Sequence, residues 1–460
     1  MKSKMSLTTG SIPKTLFAFA LPILIGNIMQ SINGSINAIW IGKYLGTAAL
    51  AATNNANIVM FLLLGAVFGI TTASTILIAQ NVGAKNMAEA KRVVGTSATF
   101  FFLLSLVLSV CGFLLSPVIL GWMDTPPDAF RFGVEYLSVM FVSLPPSYAF
   151  FFINSALRGA GDSKTPLKYL LMSVGLDIVL NPILIFGIGP IPAFGIAGSA
   201  LATLIGTSFS LVAMIRHIYK TKNPLALHAG EFYLLRIDWN IMRSMITKGI
   251  PMGLQMIVLS SSMVLFMSVV NRFGSDTAAA FAADMQLWNY VQMPALALGV
   301  AVSSMAAQNI GANLWNRVTE ITYMAVLLNF LFTGIPVLLI FLFDIHAIGL
   351  FLPENSASLP IAVHLNQIVL WSFPLFGVTM VLSGVVRAAG AVFAPLIVLA
   401  IAMLFVRMPL AFYSIEHWGA DGAWWSFTIS AIVGAVLIAC YYGAGTWRSA
   451  RMMTEVSTPV

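Results

Sequence analysis

Asp177 and Asn181 stand four residues apart in an apolar run that carries on through Pro182 (DIVLNPILIFG, residues 177–187). Four residues are about one helical turn, so both side chains share a helix face. Asp177 lies about ten residues into its run. At 1.5 Å per residue that is roughly 15 Å, near the midplane of a bilayer. A carboxylate so placed is costly and marks function by default. The chemistry it offers is uptake and release of a proton, or attraction of a cation. Asp284 is the second acid placed within an apolar run. Trp288 and Gln292 share its face, and Asn289 stands beside them. This group is expected to line a substrate cavity, where Asp284 draws cationic cargo or serves as a second proton site. Gln30, Asn33 and Asn37 recur at helical spacing on one face of the first apolar run. They are expected to form a polar pocket with Asp177. The competing role for such amides is interhelical hydrogen bonding that holds a bundle together.

Other reactive residue types give weaker patterns. Arg407 lies in an apolar run just before Pro409 and is expected to pair structurally. His364 is the one histidine placed in a span, with no acid near it in sequence. Cys111 and Cys440 both sit in apolar runs and read as small buried hydrophobes, with no disulfide framework and no metal site. The glycine-bearing basic stretches GAKNMAEAKR (residues 83–92) and RGAGDSKTPLK (158–168) lack the spacing of a phosphate-binding loop. No cofactor, no nucleic acid and no ATPase subunit are expected, and the chain is not expected to be an enzyme.

The elements that must position these residues are membrane helices. The 460 residues are 59% hydrophobic and only 8% charged, against about 25% charged in soluble domains. Mean hydropathy is +0.92. This excludes a large soluble domain, a disordered chain and a nucleic-acid module. Twelve apolar segments are expected, at 15–40, 48–80, 93–117, 132–156, 166–188, 194–217, 246–271, 277–303, 318–343, 358–385, 393–415 and 421–444. The fold class is an all-α integral membrane protein with two six-helix lobes. The N-lobe is 1–217, a polar cytoplasmic linker is 218–245, and the C-lobe is 246–460. The leading MKSKMSLTTGSIPK resembles a signal-peptide start, but the run after it is too long for one and is read as a retained helix. With both termini inside, every Lys and Arg falls on the cytoplasmic side except Lys43, Arg131 and Arg272 outside and Arg407 within a span. That asymmetry predicts an N-in, C-in protein of the cytoplasmic (inner) membrane.

The halves repeat. AQNVGA (Ala79–Ala84) returns as AQNIGA (Ala307–Ala312), and RGAGDSKTP (Arg158–Pro166) as RAAGAVFAP (Arg387–Pro395). Pro22 matches Pro251, and Gly195-x-x-Gly198 matches Gly419-x-x-Gly422, all in the same order. An even span count per copy makes the repeats parallel, a common transporter plan with a cavity between the copies. Pro22 and Pro251 are expected hinges, since proline removes a backbone hydrogen bond within a helix.

These motifs carry a resemblance. AQNVGA and its copy, LRGAGDSKTP (Leu157–Pro166), DIVLNPILIFG (Asp177–Gly187) and GIAGSALAT (Gly195–Thr203) resemble the MATE (multidrug and toxic compound extrusion) family, in its prokaryotic DinF-like and NorM-like branches. The wider group includes flippases for lipid-linked sugar carriers. The resemblance implies an antiporter that exports amphipathic, often cationic compounds across the membrane, driven by inward protons or sodium. It also implies that Asn154 and Thr203 occupy polar positions of an N-lobe pocket that serves coupling together with Asp177, Asn181 and Asn37. Two departures stand out. Relatives place Asn one turn before Asp in the fifth span, whereas here Asp177 precedes Asn181. Relatives often carry Asp where this chain has Asn37, so the pair of N-lobe acids is reduced to Asp177. No acid occurs in spans seven and ten, which disfavours the branch that uses acids there. Proton coupling is therefore expected ahead of sodium, and a flippase is disfavoured because only Arg407 offers positive charge within a span. A monomer is expected.

Overall fold

The computed structural model describes residues 7–353 and 355–453. Lys2 and Lys4, which entered the orientation argument, lie outside the described residues. Among the described residues the chain is helical and has no strand. Among the described residues eleven helices are long and apolar enough to cross a membrane, and the count reaches twelve when one bent pair is taken as a single span. The elements are α1 (Ile12–Tyr44), α2 (Thr47–Gly83), α3 (Met87–Trp122), α4 (Pro127–Val142), α5 (Leu144–Gly159), α6 (Lys164–Phe186), α7 (Ile196–Lys220), α8 (Trp239–Val270), α9 (Ser275–Gly311), α10 (Trp315–Leu342), α11 (Asp344–Gly349), α12 (Ser358–Val369), α13 (Ser372–Ala389), α14 (Phe393–Ala400) and α15 (Met408–Ala444).

The expected fourth span is the pair α4 and α5, which bends by 49°. Ser143 ends α4, and Pro145 and Pro146 follow in the first turn of α5, where their missing N–H groups cost nothing. The expected tenth span is likewise divided, into α12 and α13. α14 runs through a π-helical turn, Ile401–Arg407, into α15. α15 then breaks at Gly419 (φ 59°, ψ −143°), which separates the expected eleventh and twelfth spans.

The sequence repeat is also a backbone repeat. Gly46 (φ 90°, ψ 178°) precedes α2 as Gly274 (φ 96°, ψ 175°) precedes α9. Lys85 and Asn313, which follow the two AQN-x-GA motifs, share φ 59°. Gly195 (φ 56°, ψ −132°) matches Gly419 at the paired Gly-x-x-Gly turns, a conformation that side chains rarely adopt.

The chain divides into two compact units. The first is built on Ile25–Ile246, and the second joins the chain from Thr247 onward to the segment that ends at Leu24. The dividing line therefore runs through α1. The stretch up to Leu24, which the sequence places in the N-lobe, groups with the second unit, and 218–245 groups with the first. Within the second unit, Leu7 is buried, its carbonyl accepts from Asn309 Nδ2 at 3.0 Å, and the Gly10 carbonyl accepts from Arg317.

The segment between α7 and α8 is docked onto α3. Ala229–Leu235 form a 3₁₀ turn. Lys91 pairs with Glu231 at 2.6 Å, Arg92 with Asp238, and Thr99 donates to the Leu235 carbonyl. Gly95 makes room for this close approach, since a Cβ there would lie 2.2 Å from the Leu234 carbonyl oxygen. In the second unit the core is aromatic: Phe266, Phe281, Trp288, Trp424 and Phe427 pack together. Many large apolar side chains elsewhere are exposed, among them Leu114, Val264 and Phe405. Membrane helices carry such faces toward lipid.

Candidate functional site

Asp177 lies on α6 and is 2% exposed. The sequence brings α7 against it through two small residues. A Cβ on Gly198 would lie 2.4 Å from the Leu184 carbonyl oxygen, and one on Gly206 would lie 3.1 Å from the Ser173 carbonyl oxygen. Small residues let helix backbones approach closely. Thr203, between these two glycines, reaches across and donates its Oγ1–H to Asp177 Oδ1 at 2.9 Å.

The other carboxylate oxygen faces α1. Asn33 Nδ2 donates to Asp177 Oδ2 at 2.7 Å and Asn37 Nδ2 donates to the same oxygen at 3.0 Å. Asn181, one turn below Asp177, donates its Nδ2–H to Asn37 Oδ1 at 2.7 Å. Asn37 is thereby held with its amino group toward the carboxylate. Three neutral donors converge on one buried acid, and among the described residues no Lys, Arg or His forms an ion pair with it. The arrangement is complete for the ionised form, whose oxygens only accept. The oxygens of Asn33 and Asn181 are buried without a hydrogen-bond partner. An amide oxygen beside the carboxylate is the kind of acceptor that a protonated carboxyl would require.

Thus Asn33, Asn37, Asn181 and Thr203 meet at Asp177 within the first unit. Gln30 does not join them: it is exposed. Asn154 is buried, but its amide donates to the Phe150 carbonyl of its own helix at 2.8 Å and its Oδ1 has no partner. Tyr136 of α4 is a further buried polar residue of the first unit that the sequence analysis did not single out. A tyrosine among many aromatic residues gave no local signal.

The second group assembles differently from expectation. Asp284 is 0% exposed and faces no open surface. Asn366 of α12 donates to Asp284 Oδ1 at 2.8 Å, and Trp288 Nε1 donates to Asn366 Oδ1 at 2.7 Å. Asp284 Oδ2 has no partner. This buried triad corrects the reading of Asp284 and Trp288 as cavity lining; only Gln292, hydrogen-bonded to Asn289, stays on the more accessible side. Asn366, which the sequence analysis passed over, is the residue that joins the other two.

Arg407 is buried, donates to Ser430 Oγ at 3.0 Å and stacks 4.0 Å from the Phe427 ring centre, a structural pairing as expected. Pro22 and Pro251 are buried within α1 and α8, which run on through them. Gln255, one turn after Pro251, accepts from the Arg387 guanidinium at 2.6 Å. His364 does have an acid partner, Asp421, at 2.8 Å. Cys111 and Cys440 are free and exposed, not buried. No group of His, Cys, Asp and Glu among the described residues is arranged to hold a metal ion.

Comparison with known proteins places this architecture. The MatE family model matches residues 22–183 and again 251–413, one match in each half. The probable multidrug resistance protein YoeA of Bacillus subtilis (strain 168) is 36% identical over 434 residues, 94% of each chain. The probable multidrug resistance protein YpnP of the same organism is 30% identical over 449 residues, 97% of this chain and 98% of its own. Among solved structures, a substituted form of the Vibrio cholerae MATE transporter VcmN superposes with a TM-score of 0.87 at 21% identity, covering 97% of this chain and 99% of that one. The twelve-span architecture, the repeat and these matches together assign the chain to the MATE family of membrane transporters.

Proposed function

We propose that the chain is a secondary antiporter that exports amphipathic, often cationic organic compounds across the cytoplasmic membrane in exchange for inward protons, with Asp177 as the coupling carboxylate. The observation that carries this reading is the set of three donors on a buried carboxylate beside an unpartnered amide oxygen, Asn33 Oδ1. A proton bound at Asp177 Oδ2 turns that oxygen from an acceptor into a donor, while Oδ1 still accepts. Asn33 and Asn37 then have to reorient, and both belong to α1. Protonation is thereby transmitted to α1, which carries Pro22. Bending of α1 around Pro22 would couple the proton to reshaping of the pocket. Pro251 is the matching hinge in α8.

Protons are favoured over sodium by the donor set. The groups around Asp177 present N–H and O–H to it, whereas Na⁺ requires converging oxygens. The basic residues favour an orientation with both termini inside. The chain needs no ATPase subunit or bound cofactor under this reading, and works as a monomer.

The test is export of a fluorescent organic cation from liposomes holding the purified chain, under a proton gradient alone and a sodium gradient alone. Transport on the proton gradient, lost in Asp177→Asn, is the expected result. Transport on sodium alone would overturn the ion assignment, and no cation transport under either gradient would redirect the search to lipid-linked cargo.

A further inference from the structure

A second polar feature lies in the second unit, apart from the Asp177 network. The break at Gly419 folds the two parts of α15 against each other. Gly422 permits the tight crossing, because a Cβ there would lie 2.3 Å from Ser414 Cβ. In the crook sits a cavity of about 510 Å³ walled by Leu410 and Ile429 and edged by Trp418, Asp421 and Trp425. Trp418 is 67% and Trp425 51% exposed. Asp421 Oδ1 meets His364 Nε2 at 2.8 Å, and its other oxygen makes no hydrogen bond among the described residues. Glu416 adds a further exposed acid just before the break, and Arg272 is engaged over the Phe412 ring at 5.3 Å.

Two indoles and a carboxylate around an apolar-walled cavity define a ligand chemistry. The faces of indole rings carry negative charge density and attract cations, and Trp is the strongest of the aromatic side chains in this respect. The unpartnered carboxylate oxygen brings negative charge to the cavity's edge beside the pairing with His364. Leu410 and Ile429 favour a cation with organic substituents over a hydrated metal ion. Interfacial anchoring accounts for the two tryptophans and pairing with His364 accounts for one oxygen of Asp421, which leaves its second oxygen at the cavity's edge unused.

We propose that this cavity binds lipophilic organic cations, of the quaternary ammonium or phosphonium type. Under the orientation inferred above it lies at the outer end of the molecule, where cargo leaves. That the ligand is cargo rests on the antiporter reading, whereas the existence of the site does not.

Equilibrium binding to the purified full chain in lipid nanodiscs tests this without requiring transport. The probe is tetraphenylphosphonium, with uncharged triphenylphosphine oxide as the control, and all binding is measured in an Asp177→Asn background as well as in the wild type. The expected result is saturable binding of the cation that persists in Asp177→Asn. It should weaken roughly tenfold in both Asp421→Asn and Trp425→Ala, a size in keeping with loss of a charge or a cation–π contact. Asp421→Asn is nearly isosteric at an exposed position and serves where Trp425→Ala fails to fold. Equal affinity in wild type and Asp421→Asn, equal affinity for the neutral control, or no saturable binding at all would each overturn the site. If the cation binds as described but no gradient drives its export, the antiporter reading fails and the site stands.

Discussion

Asn181 orients Asn37: its Nδ2 donates to Asn37 Oδ1 at 2.7 Å, and Asn37 in turn donates to Asp177 Oδ2 at 3.0 Å. With Asp177 one turn before Asn181 on α6, the two residues build one site. Asp177 and Asn181 grip the two ends of a single amide on α1. Asn37 is therefore a structural mediator between α6 and α1.

Removing Asn181 should release that amide. Asn181→Ala leaves the part-buried Asn37 Oδ1 without its donor, which costs about 1 kcal/mol. The expected outcome is a lower thermal midpoint in detergent and a several-fold slower proton-driven export. An unchanged midpoint with unchanged transport would show that Asn37 needs no orientation.

Thr203→Val removes one donor to Asp177 and keeps the side chain's shape. Export should persist at a reduced rate, whereas Asp177→Asn should abolish it with normal membrane insertion. Side-by-side liposome assays decide the point; equal loss in the two variants would mean that the hydroxyl is as essential as the carboxylate.

Gly198 has no room for a methyl group, because the Leu184 carbonyl oxygen would lie 2.4 Å from it. Gly198→Ala should push α7 from α6 and cost on the order of 1–3 kcal/mol through overpacking. Since Thr203 sits on α7, transport should fall along with stability. Thermal unfolding of Gly198→Ala against Gly175→Ala, where a Cβ meets nothing within 4 Å, checks the claim.

The linker clamp makes a pH prediction. The backbone N–H of His228, followed by the ammonium of Lys91, lowers the Glu231 carboxyl from its ordinary 4.5 to about 2. A depressed folded value means that the pairing is fully in force above about 4.5 and is lost only as the pH falls toward 2. The linker should therefore resist limited proteolysis equally from pH 5 to 8. Glu231→Gln should be cut faster across that whole range. Cleavage of the wild type that rises between pH 8 and 5 would contradict the assignment.

Much of the fold is legible in the sequence. Apolar runs of membrane length and the repeated AQN-x-GA and Gly-x-x-Gly motifs are local patterns, and the helices and repeated turns follow them. Asp177 with Asn33, Asn37, Asn181 and Thr203 was also within reach. A carboxylate inside a span needs donors, and spacing gives the faces on which they lie.

What escaped has one physical cause. In a bilayer, lipid-facing and bundle-facing surfaces are both apolar, so the pattern along a helix does not say which side is buried. Hence Cys111 and Cys440 lie on exposed faces, and Asp284 is enclosed instead of lining a cavity. Partner choice is likewise long-range. The acid beside His364 is 57 residues away, and the amide beside Asp284 is 82 away. Asn154 turned to its own helix, a choice that spacing does not express. The sequence by itself determined the helices, their repeat and the family, because burial in lipid imposes length and polarity on every span. Tertiary structure alone decided which polar groups meet, because a hydrogen bond between helices depends on their packing and not on the order of their residues.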